Sequence, residues 1–117
     1  MHEEILNKNT KCLLDVLGQS QIIKKFYLAG GTALSLYYGH RLSIYLDWFA
    51  EKFSNTPNFR KELLKLGKLS IDYEDEKTLN ATLNGIKISF FEYPYPLISP
   101  TILYKKNIFL YFYFFML

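Results

Sequence analysis

Asn84-Gly85 is the residue pair that most restricts how this chain can fold. It separates two runs in which apolar and polar residues alternate, Thr78–Leu83 and Ile86–Tyr93. A two-residue link between paired strands needs left-handed backbone at both positions, which Asn and Gly tolerate and most residues resist. The segment predicts a β-hairpin. Leu69–Tyr73, joined to it through Glu74-Asp75-Glu76-Lys77, predicts a third strand of the same meander. A chain of 117 residues supports one hydrophobic core, so the remaining elements must pack on that sheet.

Upstream, helices and strands alternate. Residues 3–17 carry Leu6, Leu13, Leu14 and Leu17 at helical spacing, with Gly18 as the stop. Ser20–Lys25 reads as a short turn or helix, and Phe26–Ala29 as a buried strand running into Gly30-Gly31. Thr32 is suited to cap a helix over Ala33–Tyr38, closed by Gly39. Ser43–Phe49 reads as a strand with Ile44, Leu46 and Trp48 on one face and Ser43, Tyr45, Asp47 and Phe49 on the other. Asn58 is suited to cap a helix over Phe59–Leu66. Pro94, Pro96 and Pro100 end the strand region. The expected fold is α+β, a small mixed β-sheet with helices packed on one face.

Composition removes several classes. Half the residues are apolar and 21% are charged, a globular balance. The net charge of +3 is too small to mark a nucleic-acid face by itself. A single cysteine, Cys12, rules out an intrachain disulfide and is expected to be a small core residue. The start, His2-Glu3-Glu4, is unlike a signal peptide. Aromatic residues reach 18% and crowd the tail from Phe109 to Phe115. The tail's apolar run, 108–117, falls well short of the roughly 20 residues of a membrane-spanning helix. The chain is therefore expected to be soluble and cytoplasmic, with no membrane partner.

Chemistry concentrates between Leu28 and Phe49. Glycines at the end of a strand let backbone approach a ligand, and the unpaired N–H groups of a following helix favour phosphate. The same pair also suits a plain tight turn. An acidic residue on the next strand, Asp47, would add a metal ligand, since Mg²⁺ takes one or two carboxylates together with substrate phosphates. Asp47 equally suits a solvated strand end. Two residues earlier on the same face stands Tyr45, whose phenol is a poor Mg²⁺ ligand at neutral pH. Walker spacing is absent, so a P-loop is excluded. Arg60, Lys61 and Lys65 fit a solvated helix face. Tyr93 and Tyr95 fit either packing beside their prolines or stacking on a base.

The run Phe26-Tyr27-Leu28-Ala29-Gly30-Gly31-Thr32-Ala33-Leu34, with Gly39-His40-Arg41-Leu42-Ser43-Ile44-Tyr45-Leu46-Asp47-Trp48-Phe49, resembles the signature of the AbiEii/AbiGii toxin family of the nucleotidyltransferase superfamily. Gly85–Pro96 is similar to that family's later strand and its Tyr-Pro-Tyr-Pro exit. The resemblance covers about residues 26–97. It implies a polymerase-beta-like minimal core that transfers a nucleoside monophosphate from a nucleoside triphosphate, with Mg²⁺ as cofactor, to an RNA or protein acceptor. It also implies a cognate antitoxin and a role in limiting phage spread. By position it assigns Gly30, Gly31 and Thr32 to the triphosphate, Asp47 to the metal and Arg41 to charge neutralisation beside it. His40, next to Arg41, suits a structural place in the turn or a phosphate contact.

The departures from the family pattern are specific. Tyr45 stands where the first carboxylate of an Asp-x-Asp pair is usual, and Ser89 where a third is common. Glu92 would reach the site only through a strand bulge. The expected organisation is a nucleotidyltransferase-like core over residues 1–97 and a truncated or divergent aromatic tail over 98–117, where Lys105-Lys106-Asn107 faintly matches a family Lys-Lys-Asp. Three readings remain open: a toxin-type transferase, a catalytically inactive remnant that binds a nucleotide or a protein, or a small α+β interaction domain unrelated to that family.

Overall fold

The structure, a computed structural model, describes residues 7–29, 45–97, 101–105 and 108–111. Asn7 starts the first helix: its side-chain oxygen accepts the Thr10 N–H at 2.8 Å, the bond an N-cap supplies. Helix α1 runs Lys8–Gly18 and buries Leu13, Leu14 and Leu17. The expected stop, Gly18, is its last helical residue, and Gln19 is the C-cap. Leu6 lies outside the described residues. Cys12 is exposed, which corrects the expected core position: it sits on the solvent side of the helix, beside the buried Leu13 rather than in its place.

A 3-10 turn, Gln21–Ile23, leads to strand β1, Tyr27–Ala29. Strand β2, Leu46–Ala50, alternates as its sequence requires, with Leu46, Trp48 and Ala50 buried and Asp47 and Phe49 half-buried on the other face. Helix α2 is Pro57–Leu64, and its cap is Thr56 rather than Asn58. The Thr56 hydroxyl accepts the Phe59 N–H at 3.1 Å. Pro57, with no N–H to satisfy, takes the first helical position, so the helix starts two residues earlier than expected.

The meander follows as β3 (Leu69–Asp75), β4 (Thr78–Leu83) and β5 (Ile86–Glu92). Asn84 and Gly85 have φ of 51° and 82°, the double left-handed pair of a tight hairpin. The turn between β3 and β4 is shorter than expected, Glu76-Lys77, because the Asp75 carboxylate accepts the Lys77 N–H at 2.9 Å and closes it. Strands β6 (Ile102–Lys105) and β7 (Ile108–Leu110) complete a seven-stranded mixed sheet in the order β3-β4-β5-β2-β1-β7-β6. β2 runs parallel to β5 and β1 parallel to β7; the other neighbours are antiparallel.

The described helices cover one face. There the buried α1 leucines and Leu63 meet Leu28, Trp48, Leu79, Phe90, Ile108 and Leu110 in one core. Phe26, Phe53, Phe59 and Phe90 pack edge to face or tilted within it, with centroids 4.9–6.3 Å apart. The other face carries a smaller cluster, Tyr27, Ala29 and Tyr111, with Phe49 and Leu97 packed against it. Among the described residues, no helix is long and apolar enough to cross a membrane.

Candidate active site

The second face is built around β1 and β2. Their antiparallel register sets Ala29 opposite Asp47, Leu28 opposite Trp48 and Tyr27 opposite Phe49. Registered partners lie about 4.5–5.5 Å apart between Cα atoms. Asp47 is thus one strand spacing from the residue that immediately precedes Gly30-Gly31. Gly30, Gly31, Thr32 and Arg41, assigned above by resemblance, lie outside the described residues, as do His40 and the expected helix Ala33–Tyr38. Asp47 is the expected site residue that the structure describes.

Strand alternation turns the Asp47 side chain away from the helix-covered core. Partial burial lifts its carboxyl above the usual carboxylate range, and desolvation is the cause. Among the described residues no cation offsets that burial. Tyr45, just before β2, is 52% exposed, at the rim of the same face. On the opposite flank, the parallel pairing of β2 with β5 sets Ser89 beside Asp47. The pairing of β5 with β4 sets Asn80 beside Ser89. A polar row, Asp47, Ser89 and Asn80, therefore crosses three strands, with Ala29 of β1 at its end. Sequence reasoning missed Asn80. Its only signal is its place between Thr78 and Thr82 on the polar side of β4, a pattern shared by any solvated strand face. Its Oδ1 is buried, with no hydrogen-bond partner among the described residues.

A second row lies two residues along the strands. Tyr27 and Phe49 stack at 6.0 Å and Phe49 and Phe91 at 5.2 Å, while Tyr111 meets Tyr27 edge to face at 5.4 Å. Burial, reinforced by Tyr93 and Tyr111, pushes the Tyr27 phenol far above its ordinary value, so it stays protonated. Its buried hydroxyl also has no hydrogen-bond partner among the described residues.

Glu92 is committed elsewhere. The register of β2 with β5 continues without a bulge from Leu46–Ile88 to Ala50–Glu92. The Glu92 carboxylate accepts the Phe53 N–H at 2.9 Å and faces Lys77 at 3.4 Å. Those bonds hold it below the usual carboxylate range, the Phe53 amide foremost. It cannot stand in for a missing carboxylate beside Asp47. Arg60, expected on a solvated face, pairs with Glu74 at 3.3 Å.

These residues fit one Mg²⁺ that arrives on a triphosphate. A half-buried carboxylate with a hydroxyl beside it in register gains from a divalent ion whose remaining ligands are phosphate oxygens and water. They do not fit a pair of ions bridged by several carboxylates. Among the described residues no group of three or more His, Cys, Asp or Glu side chains could hold a metal alone.

Comparison with known proteins agrees with this architecture. Residues 11–95 match the family model described as nucleotidyl transferase AbiEii toxin, type IV toxin–antitoxin system. An uncharacterized protein of Aquifex aeolicus, aq_aa25, is 41% identical over 96 residues, which are 80% of this chain and 47% of that one. JHP933 of Helicobacter pylori superposes with a TM-score of 0.56 at 16% identity, over 90% of this chain and 53% of its own. A second H. pylori chain, described as a candidate nucleotidyltransferase, gives 0.58 at 17% identity, over 90% and 54%. At these identities the two structures establish the fold alone. The chain spans about half the length of the relatives it matches. With the family model covering most of its length, the chain belongs to the AbiEii nucleotidyl transferase toxin family.

Proposed function

We propose that the chain binds a nucleoside triphosphate with Mg²⁺ on the Asp47 face of the sheet and, as a toxin-type nucleotidyltransferase, passes its nucleoside monophosphate to an RNA or protein acceptor. One observation supports this: the register of Ala29 with Asp47, a partly desolvated carboxylate opposite the residue that precedes Gly30-Gly31 in the sequence. In this reading Gly30, Gly31 and Thr32 hold the phosphates through backbone N–H groups. Asp47 holds the metal, which supplies charge neutralisation on the phosphates. Arg41 adds positive charge where the transition state gains negative charge. A cognate antitoxin and an intracellular site of action follow from family membership and are part of the proposal.

A second reading rests on its own observation. Tyr45 and the registered Ser89 are neutral where carboxylates are usual, so the chain binds nucleotide without transferring it. One experiment separates the two: measure Mg²⁺-dependent binding of each nucleoside triphosphate, then incorporation of α-labelled nucleotide into RNA and protein. Transfer that disappears in Asp47→Asn supports the first reading. Binding without transfer supports the second. Absence of Mg²⁺-dependent binding overturns both.

A further inference from the structure

The segment after β5 is a strap with two anchored ends. The Tyr93 N–H donates to the Ala50 carbonyl at 2.7 Å. Leu97 packs against the Tyr27, Ala29 and Tyr111 cluster. The strap thus runs over the same sheet face as Asp47. Between its anchors Tyr95 sits between Pro94 and Pro96, whose rings restrict the backbone on either side. Tyr95 is 64% exposed, the most exposed large apolar side chain among the described residues, so core packing does not explain it.

Its ring is nevertheless held. Tyr95 meets Tyr93 edge to face at 5.2 Å, and Tyr93 meets Phe49 edge to face at 6.3 Å. Phe49 follows Asp47 by two residues on one face, a step of about 7 Å along the strand. A chain of ring contacts therefore leads from the carboxylate to an exposed, buttressed aromatic surface. We infer that Tyr95, supported by Tyr93, is the stacking platform for the nucleobase of the nucleotide whose phosphates lie at the Asp47 end. The inference rests on the proposed function and adds the base subsite. Stacking tolerates any base, because every base has a π-face, so the platform confers affinity more than base choice. A ring fixed before binding loses little freedom when the base arrives.

The test compares ligands with and without a base. Isothermal titration with Mg²⁺ and each of ATP, GTP, CTP and UTP is set beside titration with inorganic tripolyphosphate. Tyr95→Ala is expected to weaken every nucleotide by about 5- to 150-fold, the range of one base–aromatic stack. It should leave tripolyphosphate unchanged, and Tyr95→Phe should bind like the parent. Nucleotide affinity unchanged in Tyr95→Ala overturns the platform and leaves the proposed function standing. Equal losses for nucleotides and tripolyphosphate also overturn it, since they show a disturbed phosphate site. Failure of the parent chain to bind either ligand overturns the inference together with the function it rests on.

Discussion

Replacing Asn80 by Val should make the ligand-free protein more stable. Asn80 lies at the middle of β4 with its carboxamide oxygen buried and without a partner among the described residues, while the residue as a whole is half-buried. A buried polar atom left without a partner costs about 1–3 kcal/mol. The rest of the amide keeps some contact with water, so the lower half of that range applies here. Val also suits a strand better than Asn, on a scale spanning about 1 kcal/mol. Together these give a gain of about 1–2 kcal/mol, or roughly 5–10 °C in Tm for a domain of this size. Urea denaturation followed by far-UV circular dichroism measures it, with the slope checked for change so that the midpoint shift reports stability alone. A loss of stability in Asn80→Val would refute the reasoning, because the amide would then be contributing a favourable bond. A gain in stability coupled to weaker nucleotide binding would mark Asn80 as a residue kept for function at the expense of the fold.

Three further outcomes are expected. Leu110→Ala, which truncates a fully buried side chain of β7, should cost about 3 kcal/mol by urea titration; a loss below about 1 kcal/mol would place β7 outside the cooperative core. Asp47 has its carboxyl raised by burial, so its contribution to the stability of the ligand-free protein is present below the unfolded-state pKa and is lost as pH rises through the folded one. The urea midpoint of Asp47→Asn, measured from acid to neutral pH, should therefore fall less across that window than the parent's. Tyr45→Asp, which restores a second carboxylate on the face of Asp47, should tighten Mg²⁺-dependent nucleotide binding in a calorimetric titration; unchanged affinity would count against the proposed metal position.

Local chemistry made much of the sheet legible. Asn84-Gly85 fixed its hairpin because few other pairs accept that backbone, and the alternation in β2 assigned Asp47 and Trp48 to opposite faces. The cap of α2 was misread because Thr56 and Asn58 are both good caps; Pro57 decides between them. The insertion of β7 beside β1 left no local signature, since an apolar run states that a strand is buried and not which neighbour it pairs with. At the candidate site, alternation made the face of Asp47 legible. The place of Ser89 beside it became a contact only through the β2–β5 register. Asn80 was invisible because an amide between two threonines looks the same whether water or protein lies against it.

The parallel pairing of β1 with β7 joins segments far apart in sequence, Tyr27 with Phe109 and Leu28 with Leu110. During translation β1 emerges early, yet its flank stays unfilled until Ile108–Leu110 has left the ribosome. Such a distant contact closes slowly and late. The strand that ends just before Gly30-Gly31 therefore gains its second neighbour only after β2 to β6 have been made.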